Sequence, residues 1–128
     1  MAQYADIVEI VAPSEAVEGS IVNVTIKIRS LWDDYLQAAA KGVFDAEVFL
    51  DWEEYIIPPG GIHSFSGSFI MPNSDVTIHA FSYYKAVDGF WYWDDEAIKD
   101  VKLAEVFEGT ISRKELKYDA ITEPIPVR

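Results

Sequence analysis

From Val22 to Arg29 apolar and polar side chains alternate without a break, Val22, Val24, Ile26 and Ile28 against Asn23, Thr25, Lys27 and Arg29. A period of two is the spacing of a strand with one dry and one wet face, because successive Cβ atoms leave a pleated backbone on opposite sides. A helix would scatter the same four aliphatic residues around its circumference, so the segment can bury them together only as part of a sheet. Other strands must then cover this face.

The rest of the chain offers them. Ala5 to Val11 reads as a β-rich strand, closed by Ala12-Pro13-Ser14 and a Glu18-Gly19-Ser20 turn. Phe44, Ala46, Val48 and Leu50 alternate with Asp45, Glu47 and Asp51 as a third strand. A short piece from Glu54 to Ile57 stops at Pro58-Pro59-Gly60-Gly61, since neither proline can donate to a ladder. Ile62 to Ile70 points Phe65 and Phe69 one way, Asp75 to Tyr84 sets Val76, Ile78 and Ala80 on one face, and Ile98 to Val106 turns Val101 and Leu103 inward. One short helix is expected from Leu31 to Ala40, where Ala38, Ala39 and Ala40 favour it and Gly42 could end it. Strands without a long crossover helix imply an all-β antiparallel sandwich of about seven strands.

At 128 residues the chain is one domain's length, and its 50% apolar content supplies a core without disulfides. The sandwich is expected to occupy residues 1–108. Residues 109–128 read as an extension, with a further strand at Glu115 to Tyr118 and then an arm that Pro124 and Pro126 keep out of any ladder. Ile121, Ile125 and Val127 would give that arm an apolar contact for self-association.

The chain has 22 acidic and 10 basic residues, a formal net charge of -12. Leu31 to Glu96 alone holds twelve acidic and two basic residues, a net of -10. Such a body repels phosphate backbones and anionic lipid surfaces, so neither nucleic acid nor membrane is expected as a partner. Zero cysteines exclude thiolate metal sites and cysteine nucleophiles. No apolar run approaches the roughly 18 residues of a membrane span. The opening Met1-Ala2-Gln3-Tyr4-Ala5-Asp6 has no secretory-signal character. That leaves open both cytoplasmic synthesis, as of a virion component, and excision from an extracellular protein.

Two stretches carry a resemblance. Phe65 to Ala80, with Met71-Pro72 between an aromatic strand and Asp75-Val76-Thr77, resembles a phrase of bacterial and phage immunoglobulin-like modules and internalin-type B repeats. Ala5-Asp6-Ile7, Pro13, Gly19 and the Val22 to Ile28 alternation are similar to CARDB-type domains. The resemblance implies an immunoglobulin-like sandwich in an adhesion or spacer role, with no catalytic residue to carry over. Such domains commonly leave the second strand through an Asn-x-Gly turn, whereas Ser30-Leu31-Trp32-Asp33-Asp34-Tyr35 stands here. Independently of any family, Pro72 with Asn73, Ser74 and Asp75 reads as a tight hairpin reversal.

Neither His63 nor His79 lies in a triad, His-x-x-x-His or nucleophile-elbow context, so an enzyme is not expected and no cofactor is called for. Asn23-Val24-Thr25 matches a glycosylation acceptor but is strand alternation. The informative constellation is a pair of acidic-aromatic loops, Trp32, Asp33, Asp34 and Tyr35 in one, and Asp88, Phe90, Trp91, Trp93, Asp94 and Asp95 in the other. In an immunoglobulin-like order these two connections share one end, beside Pro58 to Gly61. Three readings of that end stand together: rings that cap the core with solvated acids, a contact surface for protein or glycan, and calcium held by Asp33, Asp34, Asp88, Asp94 and Asp95. The expected function is a non-enzymatic structural or binding module with this tip as its contact surface. A virion or tail decoration component and a fragment of a prokaryotic adhesion protein are the two settings, and a protein is the expected partner.

Overall fold

The computed structural model describes residues 2–105. The proposed extension at 109–128, with its strand and arm, lies outside them. Eight strands are present among the described residues: β1 (Ala5–Val11), β2 (Glu15–Val17), β3 (Ile21–Ser30), β4 (Leu36–Phe44), β5 (Glu47–Ile57), β6 (Ile62–Ile70), β7 (Val76–Lys85) and β8 (Trp91–Ala104). They form a three-stranded sheet ordered β1-β3-β6 and a five-stranded sheet ordered β2-β8-β7-β4-β5. All pairings are antiparallel except β2 with β8. The leading strand changes sheets at Ala12-Pro13-Ser14, where a proline lacks the N–H a continuous ladder would need.

The alternation of β3 is realised as read: Val22, Val24, Ile26 and Ile28 are buried. Phe65 and Phe69 face them from β6, and Val76, Ile78 and Ala80 of β7 and Val101 of β8 close the core from the opposite sheet. Met71 is buried as well, with its N–H on the Ser20 carbonyl and its carbonyl accepting from the Gly19 N–H. The Met71-Pro72 phrase is thus not a hairpin reversal. It carries the chain from β6 in one sheet to β7 in the other, and Asp75 accepts the Leu103 N–H of β8 rather than bonding within its own turn.

The helix expected from Leu31 to Ala40 is a correction: residues 36–44 are the strand β4, between β5 and β7. Alanine's helix preference is worth well under about 1 kcal/mol per residue, less than the ladder bonds and burial gained at a central sheet position. Small side chains are needed there. Ala38 and Ala40 pair with Tyr84 and Ser82 and face the core, while Ala39 pairs with Tyr83 on the outer face and is fully covered. Gly42 is not a helix stop but lies at a register irregularity between β4 and β5. A Cβ there would overlap the Phe49 ring, and one on Gly67 would come within 3.0 Å of the Phe49 carbonyl. The two glycines therefore make the slot in which Phe49 packs beside Phe44 and Phe69.

The strand read through Phe44 to Asp51 divides at a turn, with Asp45 at φ 52°, and the pieces at Glu47 and Glu54 are one strand, β5. Val48 is consequently exposed while Leu50 is buried. The last strand begins seven residues before Ile98, at Trp91. Gly42→Ala should lower the unfolding free energy by about 1–3 kcal/mol through displacement of Phe49, read from a denaturant melt, with Ala86→Gly in an exterior hairpin as a contrast of smaller effect.

Candidate functional site

Strand register decides what meets at the loop end. Leu36 pairs with Ile57 and Ala38 with Tyr84, so the 31–35 loop, the 58–61 turn and the 86–90 hairpin all leave from one end of the sandwich. Bonds tie them together: the Ser30 N–H donates to the Gly61 carbonyl and the Leu31 N–H to the Tyr4 carbonyl. The hairpin is closed by the Ala86 N–H on the Phe90 carbonyl and by the Gly89 N–H on the Ala86 carbonyl.

Between the 31–35 loop, the 86–90 hairpin and the residues before β1 lies a cleft of about 180 Å³, walled by Tyr4, Trp32, Leu36, Tyr84, Ala86 and Val87 with Gln3 and Lys85 beside them. Trp32 is half-buried, its ring edge-on to Tyr4 at 6.3 Å, and Tyr4 meets Tyr84 edge-on at 4.8 Å. The Tyr84 hydroxyl is pushed above its ordinary pKa, first by desolvation and then by the charges of Asp94, Tyr4 and Asp88. On the two loops that wall it, Asp33, Asp34 and Asp88 are exposed, as are Tyr35 and Phe90.

Asp88 organises the hairpin. Its carboxylate accepts the Phe90 N–H at 2.9 Å and the Tyr92 hydroxyl at 2.5 Å, and the second of these leads in holding its pKa below the usual range. The same bond raises the Tyr92 hydroxyl pKa. Tyr92 in turn stacks on Tyr84 at 5.8 Å.

The other four members of the expected tip sit elsewhere. Trp91 and Trp93 pair with Lys85 and Tyr83 and project from the outer face of the five-stranded sheet, where Trp91 packs edge-on against Trp52 at 5.2 Å and Trp93 stays 59% exposed. They neither cap the inter-sheet core nor line the cleft. Asp94 is the extra residue of a bulge, since Ser82 pairs with Asp95 and Tyr83 with Trp93. A bulge re-aims one side chain, and here the carboxylate turns to the edge of β1, accepting the N–H groups of Gln3, Tyr4 and Ala5 at 2.8, 2.8 and 2.6 Å. Asp95 accepts the Ile7 N–H at 3.0 Å. Convergence of Asp33, Asp34, Asp88, Asp94 and Asp95 on calcium is therefore not the geometry found, and among the described residues no three His, Asp or Glu side chains gather as a metal site.

His63 stacks face to face with Tyr55 at 3.5 Å, and His79 lies 3.5 Å from the partly exposed Glu96 carboxylate on the outer face. Neither lines the cleft. Tyr4 was not singled out by the sequence reading. The signal available for it was its place just before a strand, one residue from the fully buried Ala5.

No family model matches the sequence, and no curated protein matches it. Among solved structures the chain is similar to the CARDB domain of a Pyrococcus furiosus protein in complex with di-metal ions, at 10% identity over 81% of this chain and 92% of that one, with a TM-score of 0.62. It is also similar to Pseudomonas fluorescens alkylpurine DNA glycosylase AlkC bound to DNA containing an abasic site analog, at 11% identity, 77% of this chain, 30% of that one and a TM-score of 0.56. These likenesses establish a CARDB-like immunoglobulin-type β-sandwich. They bear on the fold, not on the phage or B-repeat likeness of the 65–80 phrase.

Asp94→Ala should destabilise the fold by about 2–3 kcal/mol because three amide donors lose a charged acceptor, and Asp94→Asn, with one acceptor oxygen, should fall between it and the parent in a urea melt. Tyr92→Phe should raise the Asp88 titration midpoint toward the ordinary carboxylate range, followed by NMR. The stability linked to Asp88 is present above its unfolded pKa and is lost as pH falls through the lower folded value, so Tyr92→Phe should shift that loss to higher pH.

Proposed function

We propose that this domain is a non-catalytic binding module whose contact surface is the loop end formed by residues 31–35 and 86–90. The observation that carries the reading is a set of exposed apolar side chains on the two loops that wall the aromatic cleft: Leu31, Tyr35, Val87 and Phe90 are 49, 62, 99 and 68% exposed. Solvated apolar groups concentrated on loops of a rigid sandwich, with carboxylates interspersed, have the anatomy of a recognition surface. Trp32, Asp33, Asp34, Tyr35, Asp88 and Phe90 belong to this surface, and Asp94 holds it from behind. Trp91 and Trp93 form a second exposed aromatic area on the flank.

A protein is the partner that suits such a surface, and the excess of acidic residues favours a basic one. In its setting the module is a virion or tail decoration or assembly component, with a segment of a prokaryotic cell-surface adhesion protein as the alternative. Capsid or tail genes beside its own gene would favour the first, and an upstream export signal the second. The DNA bound by the glycosylase does not transfer to this chain, because the net charge of -12 opposes a phosphate backbone.

The test is affinity capture from the native source with mass spectrometry, comparing the parent with a triple variant, Leu31→Ser, Tyr35→Ser and Phe90→Ser. The expected outcome is a retained protein that the variant loses while its melting temperature stays within about 3 °C of the parent. Equal recovery by both would overturn the reading.

A further inference from the structure

We infer that the cleft between Tyr4, Trp32 and Tyr84 receives a single aromatic side chain, phenylalanine or tyrosine, presented by a protein partner on a segment flanked by basic residues. This rests on the loop end being the contact surface and adds what that surface selects.

Size is the first argument. The cleft measures about 180 Å³, and an apolar cavity of about 150 Å³ accommodates benzene. A single six-membered ring is therefore of matching size.

The walls supply the second. Tyr4 stands at 69° to Trp32 and 72° to Tyr84, so an entering ring meets both faces and edges, the arrangement aromatic quadrupoles prefer. Leu36 and Ala86 add aliphatic surface, and nearly all of the Val87 side chain is solvated at the rim.

Third, the site is built before a ligand arrives. Asp94 holds the Tyr4 N–H, the Tyr4 carbonyl accepts the Leu31 N–H, and backbone bonds close the 86–90 hairpin. A wall ordered in advance leaves little entropy to be lost on binding.

Charge then narrows the partner. Asp33 and Asp34 follow Trp32, Asp88 follows Val87, and all three are exposed on the loops that wall the cleft, against Lys85 alone among the cleft's own charged side chains. Carboxylates beside an incoming ring are repelled, and lysine or arginine beside it is attracted.

Three capped tripeptides test this on the full chain by methyl NMR: lysine-phenylalanine-lysine, lysine-alanine-lysine and glutamate-phenylalanine-glutamate. The first should produce saturable shifts at the Leu36, Ala86 and Val87 methyls, and the other two should bind at least about tenfold more weakly. Ala86→Phe, which fills the cleft, and Trp32→Leu, which removes a wall, should each abolish the response. Equal binding of the alanine peptide, or shifts that persist in a folded variant, would overturn the inference. If these shifts fail while the Leu31, Tyr35 and Phe90 variant still loses its captured protein, the contact surface stands without the cleft. Failure of the capture alone would reject the surface.

Discussion

Three backbone amides converging on one carboxylate hold the loop end of this protein together. β1 is an edge strand of the smaller sheet, so its outward N–H groups have no ladder partner. Asp94 and Asp95 of the opposite sheet meet those of Ala5 and Ile7, and the buried Ser82 hydroxyl donates to the Ala5 carbonyl at 2.6 Å. An exposed edge is thereby covered by side chains, with no backbone ladder joining the two sheets. Because charge-assisted bonds of this kind are the stronger ones, they also determine where Tyr4 lies, and with it one wall of the cleft.

The same economy of space governs the other side of the sandwich. Phe49 can enter only because Gly42 and Gly67 present no Cβ, and Tyr55 packs on His63 at the corner where β5 and β6 approach. Phe44, Phe49 and the Tyr55–His63 pair thus fill the margins, whereas Phe65 and aliphatic side chains fill the centre and Ala38 and Ala40 let the sheets close over them. On the outer face Trp52 leans to Tyr83 at 4.8 Å, so the aromatic content is divided among core margin, flank and loop end.

The acidic excess has a corresponding division of labour. Asp88, Asp94 and Asp95 are engaged in local bonds, whereas Asp33 and the edge-strand residue Glu53 lie exposed on the surface. The excess of acidic residues between 31 and 96 does not by itself distinguish acids that build the loop end, such as Asp94, from acids left on the surface, such as Asp33.

What could be read from the residues alone was whatever follows from a local period. The alternation of Val22 to Ile28, the paired phenylalanines of β6 and the apolar face of β7 specify a sandwich and most of its core, because a one-residue slip would turn every aliphatic side chain to water. That the 31–35 loop shares an end with the connection entered at Asp88 also followed, since strand order dictates it, although that connection closes by Phe90 and residues 91–96 are strand. Residue identity misled where a preference worth tenths of a kcal/mol opposed tertiary burial, as in the alanines of β4. It placed Trp91, Trp93, Asp94 and Asp95 in a loop at the tip where the chain is already strand, and it was silent on the bulge at Asp94 and on Tyr4 beside Trp32. Those outcomes depend on pairings between residues up to 91 positions apart, and only the closed sandwich brings such groups within bonding distance.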